Sequence, residues 1–214
     1  MKRPWPWAAL LLTLACSAAS AAPMGFKDSF MTMLDVSADA REASVNYALT
    51  ARDAVGVAGL RVRSFDQRLS RDAALLTYTR LLQRWNLPDA QANIWFLGAL
   101  GSVKGKEFTR ASTLLAPALQ IDYETTRIYG SVSGRLFRAQ DINHDSATLR
   151  TGFSFYEADY DEVQPWLIVE VRRSRGLTDK FEVTPMLRLI HKRYFFELGV
   201  SDSSQARASL MVTY

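Results

Sequence analysis

The chain closes on ARASLMVTY, residues 206–214, and the alternation in this stretch decides the fold. Ala208, Leu210, Val212 and Tyr214 fall on one parity, and Arg207, Ser209, Met211 and Thr213 on the other. Side chains along a β-strand point alternately to opposite faces, so a period of two reads as a strand with one apolar face. The preceding stretch, YFFELGV at 194–200, does the same: Tyr194, Phe196, Leu198 and Val200 oppose Glu197 and Ser201.

Farther back the pattern recurs. Val45, Tyr47 and Leu49 alternate with Asn46, Ala48 and Thr50, and Ala58, Leu60 and Val62 with Gly59, Arg61 and Arg63. Leu119, Ile121 and Tyr123 alternate with Gln120, Asp122 and Glu124; Leu149, Phe153 and Phe155 oppose Arg150, Gly152 and Ser154; Phe181, Val183, Leu187 and Leu189 oppose Glu182, Thr184 and Arg188. The breaks between such segments predict twelve strands, near 27–36, 43–51, 55–65, 72–84, 90–102, 110–123, 127–138, 146–158, 164–173, 180–190, 193–200 and 206–214. Every second connection is short, such as Arg52-Asp53-Ala54 or His191-Lys192, and the others are mostly longer and more polar. Segments of about ten residues with alternating hydrophobicity, short turns at one end and longer loops at the other characterise a transmembrane β-barrel. The expected fold class is therefore all-β: an antiparallel up-and-down transmembrane β-barrel of about twelve strands, with both termini in the periplasm. Trp85, Tyr123, Tyr156, Tyr160, Trp166, Tyr194 and Tyr214 all fall at strand ends on the terminal side, where an interfacial aromatic girdle is expected.

The N-terminus reads separately. Lys2 and Arg3, the apolar run from Ala8 to Ala15, and Ala19-Ser20-Ala21 have the order of a secretory signal peptide. Residues 1–21 are expected to be removed, leaving 22–214 as a single barrel domain. Cys16, the one cysteine, lies in the removed segment, and Thr13 stands where a lipoprotein signal wants leucine. The formal charge of +4 loses Lys2 and Arg3 and becomes about +2 in the mature chain, which is not a nucleic-acid-binding balance. No helix-length apolar segment follows the signal, so entry into a membrane requires a closed barrel.

In its signal peptide, strand pattern and last strand ending on Tyr214, the chain resembles Gram-negative bacterial outer-membrane proteins. That resemblance implies residence in the cell outer membrane, contact with outer-membrane lipids, and recognition of the terminal strand by the barrel-assembly machinery. It identifies no subfamily.

With the apolar parity toward lipid, Arg61, Arg63, Arg80, Arg84, Arg127, Arg135, Arg150, Arg172, Arg188 and Arg207 are expected in the lumen. Asp122, Glu124, Glu170, Glu182 and Glu197 join them. Either these charges pair and hold the barrel together, or a surplus of arginine lines a narrow, porin-like channel for small anionic solutes. His144 and Ser146 carry a second reading. His-x-Ser in a barrel strand resembles outer-membrane phospholipases and lipid A deacylases, in which a histidine base activates a serine on the same face. Here Ala147-Thr148 follow the serine where those families have Asn-Gly. A soluble periplasmic barrel is a third reading. No cofactor and no metal site are expected: two distant histidines and no mature cysteine give no ligand cluster, although Met24, Met31 and Met33 form a small methionine group. Loops of five to seven residues are too short for a large inward plug.

Overall fold

The computed structural model describes residues 23–64, 68–106, 110–140, 142–178 and 180–214. The expected signal peptide lies outside them. Thirteen strands follow in order: β1 Phe30–Val36, β2 Ala40–Ala48, β3 Asp53–Arg63, β4 Ser70–Asn86, β5 Ala90–Gly105, β6 Ser112–Leu115, β7 Ala118–Thr125, β8 Ile128–Ala139, β9 Ile142–Ser154, β10 Gln164–Arg175, β11 Phe181–His191, β12 Tyr194–Val200 and β13 Ala206–Thr213.

Each strand pairs antiparallel with its neighbour, and β13 pairs with β1, so the sheet closes on itself. Strands β6 and β7 fill one barrel position between β5 and β8. Only Ala116 and Pro117 separate them, because proline has no N–H to give the ladder. Ala116 and Ala99 still exchange both backbone hydrogen bonds, and even-numbered residues keep facing inward across the break. The barrel therefore has twelve positions, as the sequence predicts. Closure leaves no unpaired strand edge, which is what allows a sheet to sit in hydrocarbon.

The outward surface is continuous apolar rows. Ile128, Phe153, Leu167, Leu187 and Leu198 follow one another across five strands, and Val45, Val57, Leu76 and Leu100 do so across four. All are exposed. Soluble monomers rarely expose apolar patches beyond a few hundred Å², so this surface suits lipid, and the reading as a soluble barrel fails on it.

The start of β1 and the end of β13 lie at one rim, since Met31 pairs with Thr213. Connections at that rim cover 49–52, 87–89, 126–127, 155–163 and 192–193; those at the other cover 37–39, 64–69, 106–111, 140–141, 176–180 and 201–205. The short–long alternation is weaker than expected. Residues 142–145 extend β9 into the expected loop, and residues 155–158 leave the ladder, where the Tyr156 hydroxyl donates to Val163 O at 2.8 Å. Trp166 is also displaced from the expected girdle. It faces inward, buried with Tyr129, Ile168, Met186, Ile190 and Phe195.

Candidate functional site

The interior is the candidate site, and it is part packed core, part cavity. Alternation places Glu42 on the inner face of β2, Arg135 on β8, Arg150 on β9, Glu170 and Arg172 on β10, Glu182 and Arg188 on β11, Glu197 on β12 and Arg207 on β13. Their charges form a ladder along one wall. Arg188 Nε meets Glu197 Oε1 at 2.7 Å; Glu197 also accepts from Arg150; Arg150 Nε lies 3.3 Å from Glu170, and Arg207 Nη1 lies 2.8 Å from Glu170. Arg172 Nη2 is shared by Asp39 at 2.9 Å and Glu182 at 2.8 Å. An ion pair also joins non-neighbouring strands across the interior: Arg135 Nη1 on β8 meets Glu42 Oε2 on β2 at 2.7 Å. On the wall formed by β5 and β7, Asp122 accepts from Asn93 Nδ2 at 2.6 Å and from the Trp95 indole at 2.8 Å, and Arg84 donates to Asn93 Oδ1 at 2.7 Å.

Around Arg150 and Arg207 the two signs are not equally accessible. Side chains of Arg150 and Arg207 are 19% and 21% exposed, whereas their partners Glu170 and Glu197 are 2% and 1% exposed. A cavity of about 390 Å³ runs from Pro23 at the terminal rim to Leu177 at the loop rim, with Arg135, Arg150, Arg172 and Arg207 on its wall. Along this stretch the guanidinium groups face the space ahead of their carboxylates, whereas Asp39 and Glu182, 17% and 22% exposed, are more open than Arg172 at 11%, and Glu42 is as open as Arg135. Apolar packing narrows both ends. Met24 folds in against Ala48, Ala54, Leu81 and Trp95 at the terminal rim. At the loop rim Leu60, Val62, Val103, Leu114, Phe137 and Ile142 pack together, with Leu177 of the β10–β11 connection against them. Gly176 makes that inward fold possible. Its φ is +87°, and a Cβ there would stand 2.9 Å from the Cβ of His144.

Eleven of the expected lumen residues face inward: Arg84, Arg135, Arg150, Arg172, Arg188, Arg207, Asp122, Glu124, Glu170, Glu182 and Glu197. Four do not belong to the cavity wall. Arg61 and Arg63 are exposed on the outside of β3, because Ala58, Leu60 and Val62 turn inward to the apolar cluster. Arg80 is also outside, 3.3 Å from Asp53 and 3.2 Å from the Tyr78 hydroxyl. A register shift between Leu81 and Gln83 reverses the parity, which is why Arg84 four residues later is inside. Arg127 sits exposed in the 126–127 turn, where its guanidinium donates to Phe155 O at 3.2 Å. The expected inward surplus of arginine does not hold either, since Asp35, Asp39 and Glu42 also line the interior. These acids are missed when Glu42, Ser44 and Asn46 are not read as the polar parity of β2.

The hydrolase reading finds no support. His144 and Ser146 both face the cavity, but the imidazole stacks on Phe137 with ring centroids 4.2 Å apart. Its Nδ1 is buried with no hydrogen-bond partner among the described residues. The adjacent acid, Asp145, lies on the opposite face with Arg138 and Arg175. No group orients the histidine as a base toward Ser146.

No family model and no curated protein matches the chain. Two solved structures are similar to it in course. They are a KdgM porin (TM-score 0.48, 11% identity) and a KdgM porin in complex with disordered oligogalacturonate (TM-score 0.48, 10% identity). Each match covers 87% of this chain and 98% of the other.

Proposed function

We propose that the chain is an outer-membrane barrel of a Gram-negative cell whose lumen is a narrow passage favouring small anionic solutes. The observation that carries this is the unequal exposure of the two charges: Arg150 and Arg207 reach the cavity, and Glu170 and Glu197 are sealed behind them. At Arg150 and Arg207 a passing anion meets guanidinium donors ahead of their carboxylates. Rings of arginine act in this way in anion pores. The placement in the outer membrane rests on the closed apolar-faced barrel, together with the signal-like N-terminus and the aromatic last residue. Recognition of the last strand by the barrel-assembly machinery belongs to the same proposal. Reversal potentials across a planar bilayer under a salt gradient test it. The expected result is discrete conductance with anions preferred, and a weaker preference in Arg207→Gln. A folded barrel with no conductance, or one that prefers cations, overturns the passage.

The same ion pairs also brace the wall, and a purely structural barrel is favoured by one observation: the apolar cluster around Phe137 and Leu177 narrows the loop-side mouth. Absence of conductance in a folded barrel would decide for that reading.

A further inference from the structure

The outer face of β1–β5 departs from the rest of the apolar surface. Register places Ala43, Gly59, Ala74 and Ser102 side by side in one outward row across four strands. Nothing lies within 4 Å of where a Cβ on Gly59 would stand. Four small residues in line leave a trench between taller neighbours, a groove of about 610 Å³. The row below it is Val45, Val57, Leu76 and Leu100, continuous with the lipid-facing band.

The row above it, toward the loop rim, is Arg41, Arg61, Asp72 and Lys104, with Arg63 one step higher on the same face. Arg61 Nε holds Asp72 at 2.5 Å. Among the described residues, the side chains of Arg41, Arg63 and Lys104 form no ion pair or hydrogen bond. Arginine on the lipid face costs about 2–4 kcal/mol at mid-bilayer and about 0–1 near the interface. This row, with two unpartnered cations and Arg63 a third just above it, therefore belongs at headgroup level, where a phosphate can neutralise it. The guanidinium fork and the ammonium both suit phosphate oxygens.

We infer that this face is a binding site for one phosphate-bearing acyl lipid of the loop-side leaflet: its phosphate sits on Arg41, Arg61 and Lys104, and an acyl chain lies in the trench over Gly59. Charge complementarity selects the headgroup, and the unbroken run from basic row to trench to apolar band selects a lipid over a soluble anion. The site rests on the barrel crossing a membrane and is independent of whether the lumen conducts.

Native mass spectrometry of the folded full chain in neutral detergent tests it, with dioleoylphosphatidate as probe and dioleoylphosphatidylcholine and inorganic phosphate as comparisons. Phosphatidate is expected to be retained over the other two. The triple variant R41Q/R61Q/K104Q is expected to weaken its retention at least roughly tenfold, the scale of one lost charge-assisted contact. Gly59→Leu, whose side chain would occupy the trench from outside, is expected to weaken it as well. Heat-modified gel migration verifies that each variant is still a folded barrel, so loss of the site is told apart from loss of the fold. Equal loss in Arg173→Gln, on the far side of the barrel, would reduce the effect to diffuse basic charge and overturn the site. Competition by inorganic phosphate as strong as by phosphatidate overturns the lipid assignment. A change of oligomer mass in Gly59→Leu without a change in lipid retention would make the face a contact between copies, and that also overturns it.

Discussion

Arg135 and Glu42 join opposite walls of the barrel. Strands β8 and β2 are not ladder neighbours, yet Arg135 Nη1 reaches Glu42 Oε2 at 2.7 Å. This pair spans the cavity, and its partners are about a quarter exposed. Water screens such a pair, so its contribution to stability is at most about 1 kcal/mol. Its larger effect is on passage. Arg135→Gln and Glu42→Gln each remove the brace and are both expected to raise single-channel conductance. Their selectivities should diverge: losing Arg135 lowers the preference for anions, and losing Glu42 raises it. Conductance traces and reversal potentials from the two variants check this. A shared shift in the same direction would mean that the pair does not face the permeant ion.

Arg188 and Glu197 are a different kind of pair. They are cross-strand partners on β11 and β12, both 1% exposed, and Arg150 leans on the same carboxylate. Removing one partner of a buried pair strands a charge and costs about 3–5 kcal/mol. Glu197→Ala leaves both guanidinium groups without that carboxylate, so a loss of this size is expected in urea unfolding from lipid vesicles. The Arg188→Met, Glu197→Leu double variant should recover much of it, because Arg188 no longer leaves a buried charge unpaired and Arg150 keeps Glu170. Recovery equal to zero would point to lost packing under Tyr129 and Phe195, the two rings beside the Arg188 guanidinium.

The strands were legible because a period of two is written into each of them, and because lipid demands an apolar outer face on every one. What alternation does not state is which parity faces out. On β3 both parities look plausible, since Ala58, Leu60 and Val62 are apolar and Arg61 and Arg63 are charged. The lower half of the same strand held the answer: Val55 and Val57 share parity with Arg61, and those valines are the lipid-facing ones. Leu60 and Val62 go inward because the loop end of the barrel is packed with Phe137 and Ile142 and is not lined by water. Arg80 and Arg84 were inseparable for another reason. They have equal parity in sequence, and only the register shift at Leu81 and Gln83 puts one outside and the other inside. The charges expected in the lumen on β9 to β13 lie on the inner faces of those strands, since no bulge interrupts them.

Asp39, in the 37–39 connection outside the strands, makes an acid-sensitive contribution to stability. Burial raises its pKa, but Arg172 and the Ser37 hydroxyl more than offset this, so its carboxyl titrates below the ordinary value of 3.8. An acid with a depressed pKa stabilises the fold above its unfolded pKa, and that contribution disappears as pH falls through the folded value. The contribution of Asp39 is therefore expected to be constant between about pH 7 and 5 and to be lost below about pH 4. Asp39→Asn should be less stable at neutral pH and lose less on acidification. Urea midpoints measured at a series of pH values check both arms, and an unchanged acid limb in the variant would remove Asp39 from the account.

Tyr214 closes the barrel and ends the chain, and the two roles are separable. Its backbone exchanges hydrogen bonds with Phe30, 2.9 Å from Tyr214 N to Phe30 O and 2.7 Å from Phe30 N to Tyr214 O. Its ring is stacked on Phe30 at 6.0 Å, and its hydroxyl is 3.1 Å from Thr32 Oγ1. Tyr214→Phe keeps the ladder and the stack and loses only an exposed hydroxyl contact, so a change within about 0.5 kcal/mol is expected. Tyr214→Ser keeps the ladder and loses the aromatic end. If the seam alone matters, Tyr214→Ser should refold into vesicles somewhat less stably and assemble in cells in proportion. If the terminal aromatic is also what the assembly machinery reads, cellular assembly should fall much further than refolding does, while Tyr214→Phe assembles normally. Comparing outer-membrane yield in cells with refolding yield in vesicles distinguishes the two. The proposed recognition of the last strand requires the second pattern, and equal losses in both assays would leave Tyr214 as a seam residue alone.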